Sequence, residues 1–458
     1  MRKTIELSIL TMAVALFAAC GSSSSGGGGG EAGEVATTTG GEAITTVGGV
    51  AVTVAAHNHW KAALELFSQY DKEGWNDSKC SEVRSGFEKA IKAQRGGGFG
   101  EAEYMVGLTY SRCGDTKKAK EIFEKVLAEH PMMCSPRLGL GLIAEEAGDV
   151  QGALAIYREA IDQNPNCPGA YVNLARHQAK GKPDEVEEAI KNLRRALAFR
   201  SDYLPAFNEM ALIYYQRGRS RDKRSDLDLA EIVLRQAQLI DEGFAPIYNT
   251  WGLIKLERGD LLSALQMFQR AIELDDSIFA AQMNFGQITL GFRGYRDAKR
   301  AFERAVQLRP RDYDAIVGLG AALRGLEEFD AAEKQYKKAI EIDPNRPDAY
   351  FNLGLLYHEY LSAHADSQDG TIARLQEADR WYDTFVQKAG NKKDYADKVA
   401  DVTRRCKVDK KKRRNTTGDC QMGRKQVIEE FISAMREAME LQREMEEMER
   451  LQREQQGG

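Results

Sequence analysis

The sequence contains no G-x-x-x-x-G-K, no H-E-x-x-H, no nucleophile elbow and no C-x-x-C. That removes phosphate-loop, zincin, α/β-hydrolase and thioredoxin-like chemistry in the form those motifs give them. His57-Asn58-His59 is an isolated pair, and no Cys/His spacing fits a zinc site. No catalytic residue, metal, cofactor or small-molecule substrate is therefore expected. Proline is scarce, at 10 of 458 residues, and falls where helices must stop. The apolar run Leu7 to Phe17 is too short to span a bilayer as a mature helix. Net charge is only -5, which gives no global reason to expect a nucleic-acid partner.

What is present is a repeat. Ile316, Leu319, Gly320 and Leu323 fall on one helical stripe, and Ala332, Tyr336 and Ala339 fall on the next. Pro344 closes the unit, and the pattern restarts 34 residues on, at Tyr350, Leu353, Gly354 and Tyr357. Counting back, the same phase holds at Gly286 and Phe302, Gly252 and Phe268, Ala211 and Leu234, Ala175 and Leu193, Gly141 and Tyr157, and Gly107 and Phe123. Small residues let two antiparallel helices approach, and the aromatic fills the space against the next unit. One unit cannot bury its stripe alone, so neighbours must stack.

This pattern resembles the tetratricopeptide (TPR) repeat over residues 101–390. The resemblance implies an all-α, right-handed superhelical solenoid of about eight to nine helix pairs. It places Gly318-Leu319-Gly320 and Gly139-Leu140-Gly141 in helix packing, not in phosphate loops. Residues 57–100, with Trp60, Phe67, Trp75, Phe87 and Ala90, read as a degenerate N-terminal capping repeat that ends in a glycine hinge at Arg95 to Gly100. In such an array the first helix of each pair lines a concave groove for a peptide or a partner helix. Asn173, Asn284 and Asn352 fall at the sixth position of their units, and Asn208 and Asn249 one place earlier. An amide both donates and accepts, so this ladder could grip a main chain, although asparagine there also serves helix packing. Leu212, Tyr215, Leu253, Leu256, Leu290 and Leu355 make the same face partly apolar. The Lys/Arg set of carboxylate-clamping TPR domains is missing. Insertions at Arg217 to Asp226 and Leu361 to Ile372 extend turns on one edge, as binding elements or as tolerated loops.

Residues 1–19 read as a signal peptide. Phe17-Ala18-Ala19-Cys20-Gly21 resembles a bacterial lipobox, which implies lipidation at Cys20 and, with Gly21 next, an outer-membrane lipid anchor facing the periplasm. Residues 20–56 are rich in Gly, Ser and Thr and read as a disordered tether, with Val50 to Val54 assigned to the linker. The other cysteines are even in number, as disulfides in an exported protein would be: Cys406 with Cys420, Cys80 with Cys113, and Cys134 with Cys167. Reduced, buried thiols are the alternative for the last two pairs. These four cysteines are expected on turns. Residues 391–421 read as a capping helix and a basic loop, and 422–458 as an amphipathic, coiled-coil-like helix. That helix either folds back on the array or pairs with another chain.

As a whole the chain looks like the TPR lipoproteins of bacterial gliding-motility complexes. The resemblance implies a non-enzymatic, membrane-tethered scaffold that binds envelope, periplasmic or outer-membrane proteins. The competing expectation is a pilotin or barrel-assembly accessory lipoprotein, an assembly chaperone.

Overall fold

The computed structural model describes residues 36–37, 43–47, 50–94, 98–220, 223–406, 408–409, 414–415 and 421–456. The signal-peptide segment, Cys20, the hinge residues 95–97, Lys410 to Arg413 and Cys420 lie outside them. The chain divides into two units, Met1–Ala281 and Gln282–Gly458.

The first unit opens with three short antiparallel strands, β1 (Ala36–Thr37), β2 (Ala43–Val47) and β3 (Val50–Thr53). Six helix pairs follow: α1 (Val54–Glu73) and α2 (Asp77–Ala93), α3 (Gly100–Arg112) and α4 (Thr116–Glu129), α5 (Cys134–Glu146) and α6 (Val150–Gln163), α7 (Pro168–Gln178) and α8 (Pro183–Phe199), α9 (Leu204–Gly218) and α10 (Ser225–Ile240), α11 (Ala245–Glu257) and α12 (Leu261–Leu274). The next three pairs are α13 (Phe279–Gly291) and α14 (Tyr295–Leu308), α15 (Tyr313–Gly325) and α16 (Phe329–Ile342), and α17 (Asp348–Leu355) and α18 (Gln368–Ala389). A π-helical turn, Leu356–Leu361, and a 3-10 turn, Ser362–His364, link α17 to α18. The second unit ends with α19 (Ala396–Thr403), the ladder β4 (Val408–Asp409) with β5 (Arg414–Asn415), and α20 (Arg424–Gln456).

Turn chemistry sets the pair boundaries. Gly114, Gly148 and Gly259 have φ of +82°, +81° and +82° and end the first helix of their pairs. The next residue, Asp115, Asp149 or Asp260, caps the second helix by accepting a backbone N–H at 2.8–3.1 Å. In the second unit Arg293 and Glu327 hold the same left-handed turn without glycine, at φ of 61° and 64°.

Packing follows the repeat phase. Phe123, Tyr157, Phe268, Phe302, Tyr336 and Tyr382 are buried to within 1%. A Cβ at Gly107 would lie 2.7 Å from the Phe123 ring, and one at Gly139, in the following pair, 2.5 Å from its other edge. Phe302 is clasped in the same way by Gly286 and Gly318, at 3.0 and 2.6 Å. Each G-x-G therefore serves two rings: its first glycine receives the aromatic of the preceding pair and its second the aromatic of its own.

Three expectations need correction. The tether does not run unstructured to residue 56: Val47 and Val52 are buried with Ala56, Ala90 and Phe99, and α1 begins at Val54. Thr53 caps α1 on Ala56 N at 3.1 Å and donates to Ala93 O at 2.9 Å. Alternating valines found a hydrophobic surface on the capping pair, which composition alone cannot reveal. At the described end of the expected hinge, Gly98 and Gly100 pack under the His130 ring, and Phe99 is buried. Cys80 sits inside the first turn of α2, not on a turn, while Cys113 is the C-cap of α3.

Candidate protein-interaction surfaces

The faces of the first helices carry most of the residues expected to line a groove. Among them Asn173, Asn208, Asn249 and Asn284 are all at least nine-tenths buried, as are Leu212, Tyr215 and Leu253. Asn352, Leu256, Leu290 and Leu355 are partly exposed. The amide ladder is thus no open rail for a peptide backbone. Asn208 Oδ1 accepts from Thr250 Oγ at 2.7 Å, and Asn352 is held by Arg324 at 3.1 Å while donating to Asp348 O at 2.8 Å. These amides satisfy buried polar groups between successive helices, as a close-packed interior requires.

A charged cluster on the same helices was not foreseen. Glu145 at the end of α5 accepts from the Tyr157 hydroxyl at 2.7 Å and meets His177 Nε2 at 2.9 Å. Burial alone would raise the Glu145 carboxyl, but the bonds from His177 and Tyr157 outweigh it and hold it below its usual range. Burial, reinforced by Glu145, pushes the Tyr157 hydroxyl far up, so it stays a donor. Beside them Arg176 Nε reaches Glu209 Oε1 at 3.3 Å, with both side chains about nine-tenths buried. Its two terminal nitrogens have no hydrogen-bond partner. Arg176 follows Asn173 by three residues on α7, but the acids near it come from other helices, so no local spacing points to the cluster.

Both insertions are engaged within their own units. Arg217 bridges Asp226 at 2.8 Å and Glu187 at 2.7 Å, and Arg224 meets Glu257 at 3.2 Å. The second insertion supplies the last residue of the π-helical turn, the 3-10 turn and the added first turn of α18, and Arg374 donates to Leu361 O at 2.5 Å.

Two disulfides staple the first unit. Cys80–Cys113 joins α2 to the end of α3, with Cα atoms 6.2 Å apart, and Cys134–Cys167 joins the starts of α5 and α7 at 5.7 Å. Each closes a separation of 33 residues, close to one repeat period. Cys406 is disulfide-bonded too, and Cys420 lies outside the described residues. Among the described residues no group of His, Cys, Asp and Glu is placed to hold a metal, and no helix is long and apolar enough to cross a membrane.

The base of α20 is anchored by charge. Arg424 meets Asp401 at 2.6 Å and also Glu359, Lys425 meets Asp383 at 2.6 Å and Asp379 at 2.8 Å, and Arg405 pairs with Glu429. Ile428 is buried with Tyr382, Phe385 and Val402, and Ile432 packs against that cluster. Above this base a cleft of about 410 Å³ opens between α18 and α20, lined by Gln376, Ile432, Glu437 and Glu440.

The comparisons with known proteins fit this geometry. A family described as tetratricopeptide repeat matches residues 104–171 and 138–203, and one described as TPR repeat matches 320–359. The chain carries tetratricopeptide repeats. Such repeats build helical, typically non-enzymatic protein-interaction scaffolds. Similar solved structures include a thermophilic TPR protein of Thermus thermophilus, at 24% identity and TM-score 0.37, over 42% of this chain and all of that one. The MamA protein of Desulfovibrio magneticus is similar at 19% identity and TM-score 0.33, over 41% and 97%. A probable biofilm formation methyltransferase of Pseudomonas putida is 31% identical over 77 residues, 17% of this chain. The chain spans only 18% of that relative's length.

Proposed function

We propose that this TPR chain is a membrane-tethered scaffold that binds and organises protein partners in a bacterial envelope complex, of the kind that drives gliding motility. The observation that carries the scaffold reading is the in-phase run of helix pairs, in which rings such as Phe123 in the first unit and Phe302 in the second are clasped between adjacent pairs. Such a stack offers long surfaces for several partners at once, and a tether raises the effective concentration of partners near the membrane. The partly exposed Asn352, Leu256, Leu290 and Leu355 are the first-helix groups we assign to partner binding. Lipidation at Cys20 and an outer-membrane location rest on the lipobox-like Phe17 to Gly21. Metabolic acyl labelling tests them: label on the wild type that is lost in Cys20→Ala is expected, and an unchanged label would remove the tether. If deletion of the chain abolishes secretin or barrel multimers while no stable complex forms, the assembly-chaperone reading replaces the scaffold.

A further inference from the structure

Beyond its base, α20 has an uncovered seam. Val427, Phe431, Ala434, Ala438, Leu441, Met445 and Met448 alternate at spacings of four and three, the a and d positions of a heptad repeat. The large residues of this seam are all exposed: Val427 38%, Phe431 53%, Leu441 59%, Met445 51% and Met448 56%. Between 436 and 454 only Met439 is even partly covered. That is about 30 Å of helix with one apolar side facing solvent.

Charge decides what could cover it. The positions flanking the seam hold Glu430, Glu437, Glu444 and Glu449, with no cation among them. The arginines Arg436, Arg443 and Arg450 recur every seventh residue on the opposite ridge. Seven acids face four arginines between 436 and 454. In a parallel pair of two copies Glu444 would oppose Glu449 of the other chain, and in an antiparallel pair the flanking glutamates would oppose one another. An anionic lipid surface would be repelled by the same side chains. The cleft at the base carries Glu429, Glu437 and Glu440 beside Ile432, with Arg436 the one cation in its lining.

We infer that the exposed seam of α20 is a docking site for a basic amphipathic helix of a different protein, with apolar residues at heptad spacing and Lys or Arg flanking them. The methionines let one seam adapt to partners of differing shape. The inference deepens the scaffold reading but fails separately from it, because its test uses the purified full chain and a synthetic probe.

The probe is a peptide of about four heptads with Ile and Leu at a and d and Lys at every e and g position, compared with the same peptide carrying Glu at e and g. Fluorescence anisotropy is expected to give binding of the Lys peptide that weakens with added salt. The Glu peptide should bind at least about tenfold more weakly. A Leu441→Glu, Met445→Glu double variant should lose the Lys peptide while its thermal unfolding matches the wild type, since both side chains lie outside the packed body. A milder pair, Glu437→Gln and Glu444→Gln, should cut affinity several-fold and flatten the salt dependence. Equal binding of the two peptides, or binding of neither, overturns the proposal. So does self-association through Leu441 and Met445 in sedimentation equilibrium, or binding to phosphatidylglycerol vesicles that the double variant removes.

Discussion

Gly139→Ala tests the ring clasp that defines the fold. The new methyl would lie 2.5 Å from Phe123 Cε2 and 3.0 Å from Cδ2, where ordinary carbon contacts are about 3.5–4.0 Å. The ring cannot retreat, because its far edge already faces Gly107, where a Cβ would sit 2.7 Å away. Overpacking of this kind costs about 1–3 kcal/mol. Alanine in place of glycine inside a helix returns about 1 kcal/mol of propensity. The expected net effect runs from about zero to a loss of about 2 kcal/mol, where an unclasped helical glycine would give a gain of about 1 kcal/mol. Urea unfolding followed by circular dichroism measures it, and hydrogen exchange should place the loss in α3 to α5. Trimming the ring with Phe123→Leu should relieve the clash, so the double variant should show a favourable coupling of about 1 kcal/mol. A Gly139→Ala chain more stable than the wild type by about 1 kcal/mol, or no coupling to Phe123→Leu, would refute the clasp.

Other consequences follow from the same geometry. Glu327→Gly at the left-handed turn after α15 should stabilise the second unit by about 1 kcal/mol in thermal unfolding, because an exposed non-glycine residue gives up αL strain there. Opening Cys80–Cys113 by a Cys80→Ser, Cys113→Ser pair should cost about 3–4 kcal/mol for a loop of its length, read as a lower urea midpoint of the first unit; no shift would mean the staple is idle. Burial, then the Arg424 guanidinium, hold the His358 imidazole below its ordinary value of 6.5, against a smaller upward pull from Glu359. A histidine lowered in this way contributes stability above that value and loses it as pH falls, so amides of α18 and the base of α20 should show smaller protection factors, corrected for intrinsic exchange, at about pH 5.5 than at about pH 7.5, and His358→Gln should flatten the difference. Glu145, also lowered, acts with the same sign at more acid pH, and Glu145→Gln should remove acid sensitivity from α5 to α7.

The repeat was legible because its cause is local and periodic. Gly320 and Tyr336, or Gly107 and Phe123, recur at fixed spacing since each pair must seat one large side chain against a small residue. The start of α1 was not legible, because Val47 and Val52 reveal their burial only when Ala90 and Phe99, distant in sequence, are brought beneath them. The burial of much of the amide ladder was missed for a related reason. Helical spacing put Asn208 and Asn249 on the first helices, but whether such an amide meets solvent or Thr250 depends on how tightly successive helices close. The Arg176 cluster draws Glu145 and Glu209 from other pairs, so no linear motif announces it.

The central claim is that the chain holds several envelope proteins together at a membrane. Its most direct test is purification of the tagged full-length chain from detergent-solubilised envelopes, beside Cys20→Ala, with the co-purifying proteins identified and quantified. The account predicts several envelope proteins in fixed ratio to the wild-type chain, and release of Cys20→Ala into the soluble fraction. A wild-type chain that elutes alone, or a Cys20→Ala chain that stays with the membrane, would contradict it.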